Sequence, residues 1–466
     1  MNSWALALRN LLRNRRRSSA TVLAMVIGGV CILLFGGYVQ NIIFGMQTGY
    51  VQGGGHLQLQ HRDYFLYGTG DPAAYGIADY QQVIDLIKQD PVLAPMLTVV
   101  TPTLQFGGIG GNFAVGASRT VFAIGDVMED RNIMLRWNDY GFPDRAETMA
   151  LTGTSADSAV IGTGVARVLQ LCAPLKVADC PMPQVKAPIE GAPLPRDVGL
   201  LVAGDASSGP AAGSGEGTAE LELLAATLSG APNVARLKVI KAEPQGVKEF
   251  DDAYIGLHLS QAQRLLYGSG TPEVTSIVLQ LHHTSQIPPA TARLKQLLAT
   301  RLPDRPLAVY DFRSLNPYYG QTISLFTAIF GFISLLIGGI VLFTVSNTMN
   351  AAVVERTVEI GTLRAIGLRR AGIRALFVAE GLLIGIFGAL AGLAVALLLA
   401  ALINHSGLTW TPPGRVNPIS LHVRVWGETG LLTGTAVGLA AVAVLSAWWP
   451  ARRAARLEVV EALRHV

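Results

Sequence analysis

The stretch TISLFTAIFGFISLLIGGIVLFTVSN, residues 322–347, carries no charged side chain and decides the fold. As a helix rising about 1.5 Å per residue it covers a hydrocarbon core of about 30 Å. Three other stretches read the same way. They are ATVLAMVIGGVCILLFGGYVQNIIF at 20–44, residues 375–403 with the single charge Glu380, and the uncharged residues 430–449. A soluble fold would have to hide four such helices in one core. Only 15% of the residues are charged, half are apolar and the mean hydropathy is +0.39; soluble globular chains carry about 25% charged residues. The sequence therefore predicts an α-helical membrane protein with four transmembrane helices and a large mixed α/β extracytoplasmic domain inserted between the first and second.

Arginine near the helix ends sets the expected orientation. Arg9, Arg13, Arg15, Arg16 and Arg17 precede the first span. Arg356, Arg364, Arg369, Arg370 and Arg374 lie between the second and third, and Arg452, Arg453, Arg456 and Arg464 follow the fourth. The loop between the third and fourth holds only Arg415 and Arg424. The implied layout is a cytoplasmic amphipathic helix (1–19), span 1 (20–44), an extracytoplasmic α/β domain (45–321), span 2 (322–348) and a cytoplasmic coupling loop (349–374). Span 3 (375–403), an extracytoplasmic loop (404–429), span 4 (430–449) and a cytoplasmic tail (450–466) complete it.

The outer domain holds 20 basic and 26 acidic residues, so the overall +4 comes from the cytoplasmic pieces. That asymmetry fits contact with anionic membrane lipid. No basic surface with base-reading residues argues for nucleic acid. The basic start resembles the n-region of a signal peptide, but the apolar stretch is long for an h-region and no clear cleavage site ends it, which reads as a signal anchor. Within 2–17, Trp4, Leu8, Leu11 and Leu12 recur at helical spacing opposite Arg9, Arg13 and Arg16. This is either an amphipathic helix in the inner headgroup layer or a cytoplasmic extension of the first span.

The outer domain mixes strand-like stretches, HLQLQ (56–60), VARLKVIKA (234–242) and TSIVLQLHH (275–283), with helix-like ones. The latter are ADYQQVIDLIKQD (78–90), DSAVIGTGVARVLQL (157–171) and SQAQRLLYG (260–268), the last with Ser260 as a cap. DASSGPAAGSGEG (205–217) reads as a flexible loop, either dividing two lobes or inserted in one. Cys172 and Cys180 lie in this domain, where an oxidising compartment allows a disulfide across their short loop. His56, His61, His282 and His283 have no ligand spacing with carboxylates or cysteines and read as ordinary histidines. GGIGG (107–111) and YGSGTP (267–272) lack the Lys and Ser/Thr of a phosphate loop and read as turns. No catalytic, cofactor or metal site is visible, so the chain is not read as an enzyme.

After the second span comes VVERTVEIGTLRAIGLRRAGI (353–373). Val354, Val358, Ile360, Leu363 and Ile366 give it an apolar side, and Glu355, Arg356, Glu359, Arg364, Arg369 and Arg370 are polar. Gly361 offers a close-approach site and Gly367 a helix stop. The segment either transmits a push from a cytoplasmic partner or merely anchors topology. Small-xxx-small spacings recur at Gly381, Gly385, Gly388 and Gly392, and again at Gly430, Gly434 and Gly438. Both sets suit close helix packing, within the chain or across a dimer.

The segment resembles the cytoplasmic loop of the MacB/FtsX-like permease family, with a pattern near E-[RK]-x-x-E-I-[GA]-x-L-[RK]-x-[LIM]-G. Glu355, Arg356, Glu359, Ile360, Gly361, Leu363, Arg364, Ile366 and Gly367 supply it. Glu380 matches a carboxylate typical of these permeases. Because a charge at a span centre is costly, its place near the inner end reads as a polar contact for the coupling loop through Arg364 or Arg374. Proton translocation is the rival reading, but the spans offer no second carboxylate or histidine as a relay. The tail WPARRAARLEVVEALRHV (449–466) is similar to the family's closing motif at Pro450, Ala451, Ala454, Ala462, Leu463 and Arg464, with Val459 where proline is usual.

The resemblance implies the permease subunit of a mechanotransmission ABC transporter in a bacterial inner membrane. It implies a cytoplasmic ABC ATPase dimer that holds the ATP and Mg, with no cofactor in this chain, and a second permease copy or paralogue. A periplasmic adaptor or lipoprotein is a further candidate partner. Lipoprotein or lipid handling at the outer face is the leading expectation. Export of peptides or small molecules, regulation of a cell-wall hydrolase, and a receptor or enzyme without an ATPase are the alternatives.

Overall fold

The computed structural model describes residues 3–13, 15–68, 70–142, 148–178, 180, 219–227, 229–411 and 418–458. The 205–217 loop and Val459, Ala462, Leu463 and Arg464 lie outside these residues. The chain divides into two compact units, one of Met1–Gln47, Pro317–Trp410 and Ile419–Val466, the other of Thr48–Asn316 with Thr411–Pro418.

The first unit is helical. Its elements are α1 (Ser3–Arg13), α2 (Arg15–Gly54, which runs on into the second unit), α3 (Pro317–Glu355), α4 (Thr357–Ala365), α5 (Arg370–His405) and α6 (Thr429–Arg456). α2, α3, α5 and α6 are each long and apolar enough to cross a membrane. Every one overruns the stretch marked by hydropathy, because a helix continues past the point where its side chains turn polar. Met25 of α2, Val341, Val345 and Met349 of α3, Ile384 of α5, and Leu439, Ala443 and Ala447 of α6 share one buried core. Trp426 just before α6 and Trp448 and Trp449 near its end are exposed. At about 1.5 Å per residue they stand roughly 30 Å apart, the spacing of two interfacial aromatic belts.

The second unit is the mixed α/β one. Its strands are β1 (Leu57–His61), β2 (Leu97–Asn112), β3 (Ala117–Asp126), β4 (Ser158–Gly162), β5 (Glu220–Ala226), β6 (Pro232–Glu243), β7 (Tyr254–His258), β8 (Ser276–Leu281) and β9 (Leu307–Asp311). They form one sheet in the order β3-β7-β4-β6-β5-β2-β8-β1-β9, and β2 pairs with β3 as well. Six strands thus close a ring, and β8, β1 and β9 extend from it as an arm. The long β2 joins the two, pairing with β8 over Leu97–Thr103 and with β3 over Thr103–Asn112. β3–β7 and β4–β6 are parallel; the other pairs are antiparallel.

Three expectations for this unit need correction. Residues 157–171 are a strand followed by a short helix, Thr163–Val168, not one helix. Every residue of β4 is buried, and a fully buried strand shows no alternation to distinguish it from a helix. The glycines of 107–111 lie inside β2, where a Cβ at Gly108 would sit 2.7 Å from the Leu224 carbonyl of β5. They permit a close strand approach, not a turn. Helix Leu259–Tyr267 starts after His258, with no side-chain cap from Ser260. Gly268 ends that helix at φ +57, in the turn expected there.

The last turns of α2, from Thr48 onward, are seated in this unit by reciprocal bonds. Arg131 donates to the carbonyls of Gln52 (3.3 Å) and Gly53 (2.6 Å), and the Gln52 amide donates to those of Leu135 and Trp137, both at 2.9 Å. Gln280 donates to Val51 O and Met134 O. Carbonyls left open at the ends of α2 and of the helix Met128–Leu135 are satisfied by side chains from across the contact.

Candidate functional site

The coupling segment begins at a break. α3 ends at Glu355, α4 starts at Thr357, and Arg356 between them has φ −103 and ψ 16. The backbone stays connected, because Arg356 N donates to Ala352 O (3.2 Å) and Ile360 N to Arg356 O (2.9 Å). The far end is a helix stop at Gly367, φ +103. Gly367 N donates to Arg364 O and Leu368 N to Leu363 O, each at 3.0 Å, the paired bonds of a Schellman ending. Only glycine adopts that backbone without strain.

The apolar side read from the sequence divides in two. Val353 and Ile360 face inward, onto Ile373 and Phe377 of α5 and Ala451, Ala454 and Ala455 of α6, with Leu363 packed beside them. Val354, Val358 and Ile366 face outward, and Ile366 is 80% exposed. Glu355, Glu359 and Thr362 lie on the same outward face. The tail motif has a physical reason here: alanine at 451, 454 and 455 leaves room for the coupling segment to press against the end of α6. Arg364 donates to the Leu457 carbonyl and closes the same contact. Gly361 is buried within α4.

Glu380 is 3% exposed, one of the few charged groups buried in this unit. Arg356 donates to it at 2.9 Å, and so does Asn10 of α1 at 2.6 Å. Arg356 also donates to the Asn10 carbonyl at 3.3 Å. Glu380 therefore does meet the coupling segment, but through Arg356, not Arg364 or Arg374. Arg364 is engaged with Leu457, and Arg374 lies over the Trp448 ring, 5.5 Å from its centroid. Asn10 carries no signal in the sequence; one amide in a basic helix looks like an ordinary surface residue. Helix α1 itself packs Leu6 and Ala7 against Leu376, Ala379 and Leu383 of α5, while Leu8 and Leu12 stay exposed. Its Arg13 pairs with Glu359 of α4.

In the α/β unit, His56 is fully buried, with Nδ1 accepting from Leu281 N (2.9 Å) and its ring edge-on to Trp137. Burial lowers its pKa to about 4. His61 lies 3.9 Å from Asp63, His282 bonds Thr98, and His283 pairs with Asp139 at 2.7 Å. Hydrogen bonds from Arg293 hold the Asp90 carboxyl below its usual range. Cys172 and Cys180 are joined in a disulfide, with Cα atoms 6.2 Å apart. Among the described residues no three His, Cys, Asp or Glu side chains group so as to hold a metal ion.

Four helices long and apolar enough to cross a membrane, with a short charged helix pinned by a buried ion pair between the second and third, define a multi-span membrane protein. Residues 326–459 match the FtsX-like permease C-terminal domain. The chain is similar to permeases of the MacB/FtsX-like family. An uncharacterised ABC transporter permease of Methanocaldococcus jannaschii is 28% identical over 49% of this chain and 55% of its own length. The lipoprotein-releasing system transmembrane protein LolC of Neisseria meningitidis is 27% identical over 50% of this chain and 56% of its own. The macrolide export ATP-binding/permease protein MacB of Hyphomonas neptunium is 30% identical over 51% of this chain and 34% of its own. The matches thus span about half the chain and from a third to just over half of these relatives.

Proposed function

We propose that this chain is the permease subunit of an ABC transporter of the mechanotransmission type. A separate cytoplasmic ATPase dimer, which holds ATP and Mg, docks on the outward face of α4. The closure of that dimer is passed through the helices to the α/β unit on the outer face of the inner membrane. The termini and coupling segment lie in the cytoplasm, as the arginine distribution supports, and a second permease copy or paralogue completes the complex. Lipoprotein or lipid handling is the leading activity, supported by the likeness to LolC. The likeness to several MacB proteins favours a second reading, export of peptides or small molecules.

The observation that carries the reading is the outward face of α4. Val358 and Glu359 of α4 are exposed, flanked by exposed Val354 and Glu355 at the end of α3 and Ile366 just past α4. The inward side of the segment is fixed to α5 and α6. A rigid apolar stripe edged by carboxylates suits a groove with basic rims. The test is co-purification with the ATPase and ATP turnover of the complex in nanodiscs, using Val358→Lys with Ile366→Lys, and Glu355→Arg with Glu359→Arg. Misplaced charge at such a contact costs several kcal/mol, so both pairs should lose the ATPase while still inserting in the membrane. Wild-type binding and turnover in both would refute the docking role.

A further inference from the structure

We infer that Asn10, Arg356 and Glu380 are positioning residues that set the angle of α4 and make the N-terminal helix part of the coupling machinery. The inference rests on the reading of α4 as a docking surface. Its basis is the convergence of three elements on one buried carboxylate. Glu380 comes from α5, Arg356 from the break between α3 and α4, and Asn10 from α1. Arg356 is the residue at which the backbone leaves one helix and starts the next, so a tether on its side chain restrains the direction of α4. Its second bond, to the Asn10 carbonyl, brings α1 into the same restraint.

A second link lies one turn along. Arg13 of α1 pairs with Glu359 of α4, while Leu6 and Ala7 hold α1 on α5. Helix α1 is therefore bound to the joint itself at Arg356 and to the helix after it at Glu359, while it rests on α5. Bulk stability is a poor reason for a buried ion pair, since well-packed apolar residues in its place cost little. Orientation is a better one, because charge-assisted bonds are directional and apolar contacts are not.

The experiment separates orientation from stability. Spin labels at Val358→Cys and Leu445→Cys, both exposed, report the position of α4 against α6 in the full chain in nanodiscs, in a Cys31→Ser background. Labels at Ile386→Cys and Val437→Cys report the α5–α6 pair as a control. Replacing both charges, Arg356→Leu with Glu380→Leu, should leave thermal stability and the control distance unchanged and abolish the single narrow α4 distance. Asn10→Ala, which keeps the ion pair, should broaden the α4 distance and lower ATP turnover severalfold while the ATPase stays bound. A narrow α4 distance in both variants overturns the inference. Loss of that distance with unaltered ATPase binding and turnover leaves the positioning role standing and removes α4 as the docking surface instead.

Discussion

The third and fourth spans carry glycine at the same spacing, yet the structure uses the two sets differently. In α5, a Cβ at Gly381 would lie 2.5 Å from Ala447 Cβ, and one at Gly388 would lie 2.7 Å from Met25 Cβ. Gly385 and Gly392 likewise back onto α6 and α2. In α6, a Cβ at Gly430, Gly434 or Gly438 would meet nothing within 4 Å. The sequence left both sets open to a role within the chain or across a dimer; it is the third span that spends its glycines inside the chain. Spacing shows that a helix has a smooth face, and only the neighbour shows whether the face is filled.

The largest expected effects lie outside both spans and test whether a span reporter responds only to its span. His56 has a folded pKa of about 4 against about 6.5 unfolded. The unfolded chain therefore binds more protons between those values. The stabilisation from neutral His56 is complete above pH 6.5, falls by about 3 kcal/mol on the way to pH 4, and then levels off. Denaturant unfolding of the α/β unit at pH 7.5, 5.5 and 4 should follow that slope, and His56→Asn should flatten it. The distance between labels on α5 and α6 should not change over the same range; if it does, the comparison of spans has to be made at one pH.

Reduction of the Cys172–Cys180 bridge comes next, at about 2–3 kcal/mol for so short a loop. Thermal unfolding with and without reductant measures it, and recovery of both cysteines as alkylated thiols from unreduced protein would remove the bridge. Within the spans, Gly381→Leu forces a side chain into occupied space, for a loss of about 1–3 kcal/mol in detergent unfolding. Gly434→Leu, the matched change in α6, should stay within about 0.5 kcal/mol of wild type. Equal losses at both positions would break the comparison. Unchanged stability with weakened self-association at Gly434 would sharpen it, by placing a partner on the open face.

The same contrast governs what could be read beforehand. The four spans were legible because lipid imposes a length and a composition on any helix that crosses it. β1, β6 and β8 were legible from β-branched residues and alternation; β4 was not, being buried on both faces. The coupling segment was visible as a motif, and Gly367 as its stop. The partner of Glu380 was not visible, because Arg356 and Asn10 reach it across helix contacts that no local spacing encodes. Nor did the sequence show that Ile360 turns inward while Ile366, six residues on, turns out: both are isoleucines in the same short segment.

The arm of the sheet has a consequence for how the chain is made. β1 follows directly after α2, but its two neighbours are β8 and β9, paired through Leu57↔Leu279 and Leu57↔Asp311. Both partners are synthesised more than 200 residues after it. At roughly 5–20 residues per second, β1 waits on the order of ten seconds or longer with both edges open. Unpaired strand edges invite pairing with other chains. A nascent chain of this kind is thus most exposed to misassembly while only its first membrane helix is in place, and slowing translation between β1 and β8 should lower the yield of folded protein more than slowing it after β9.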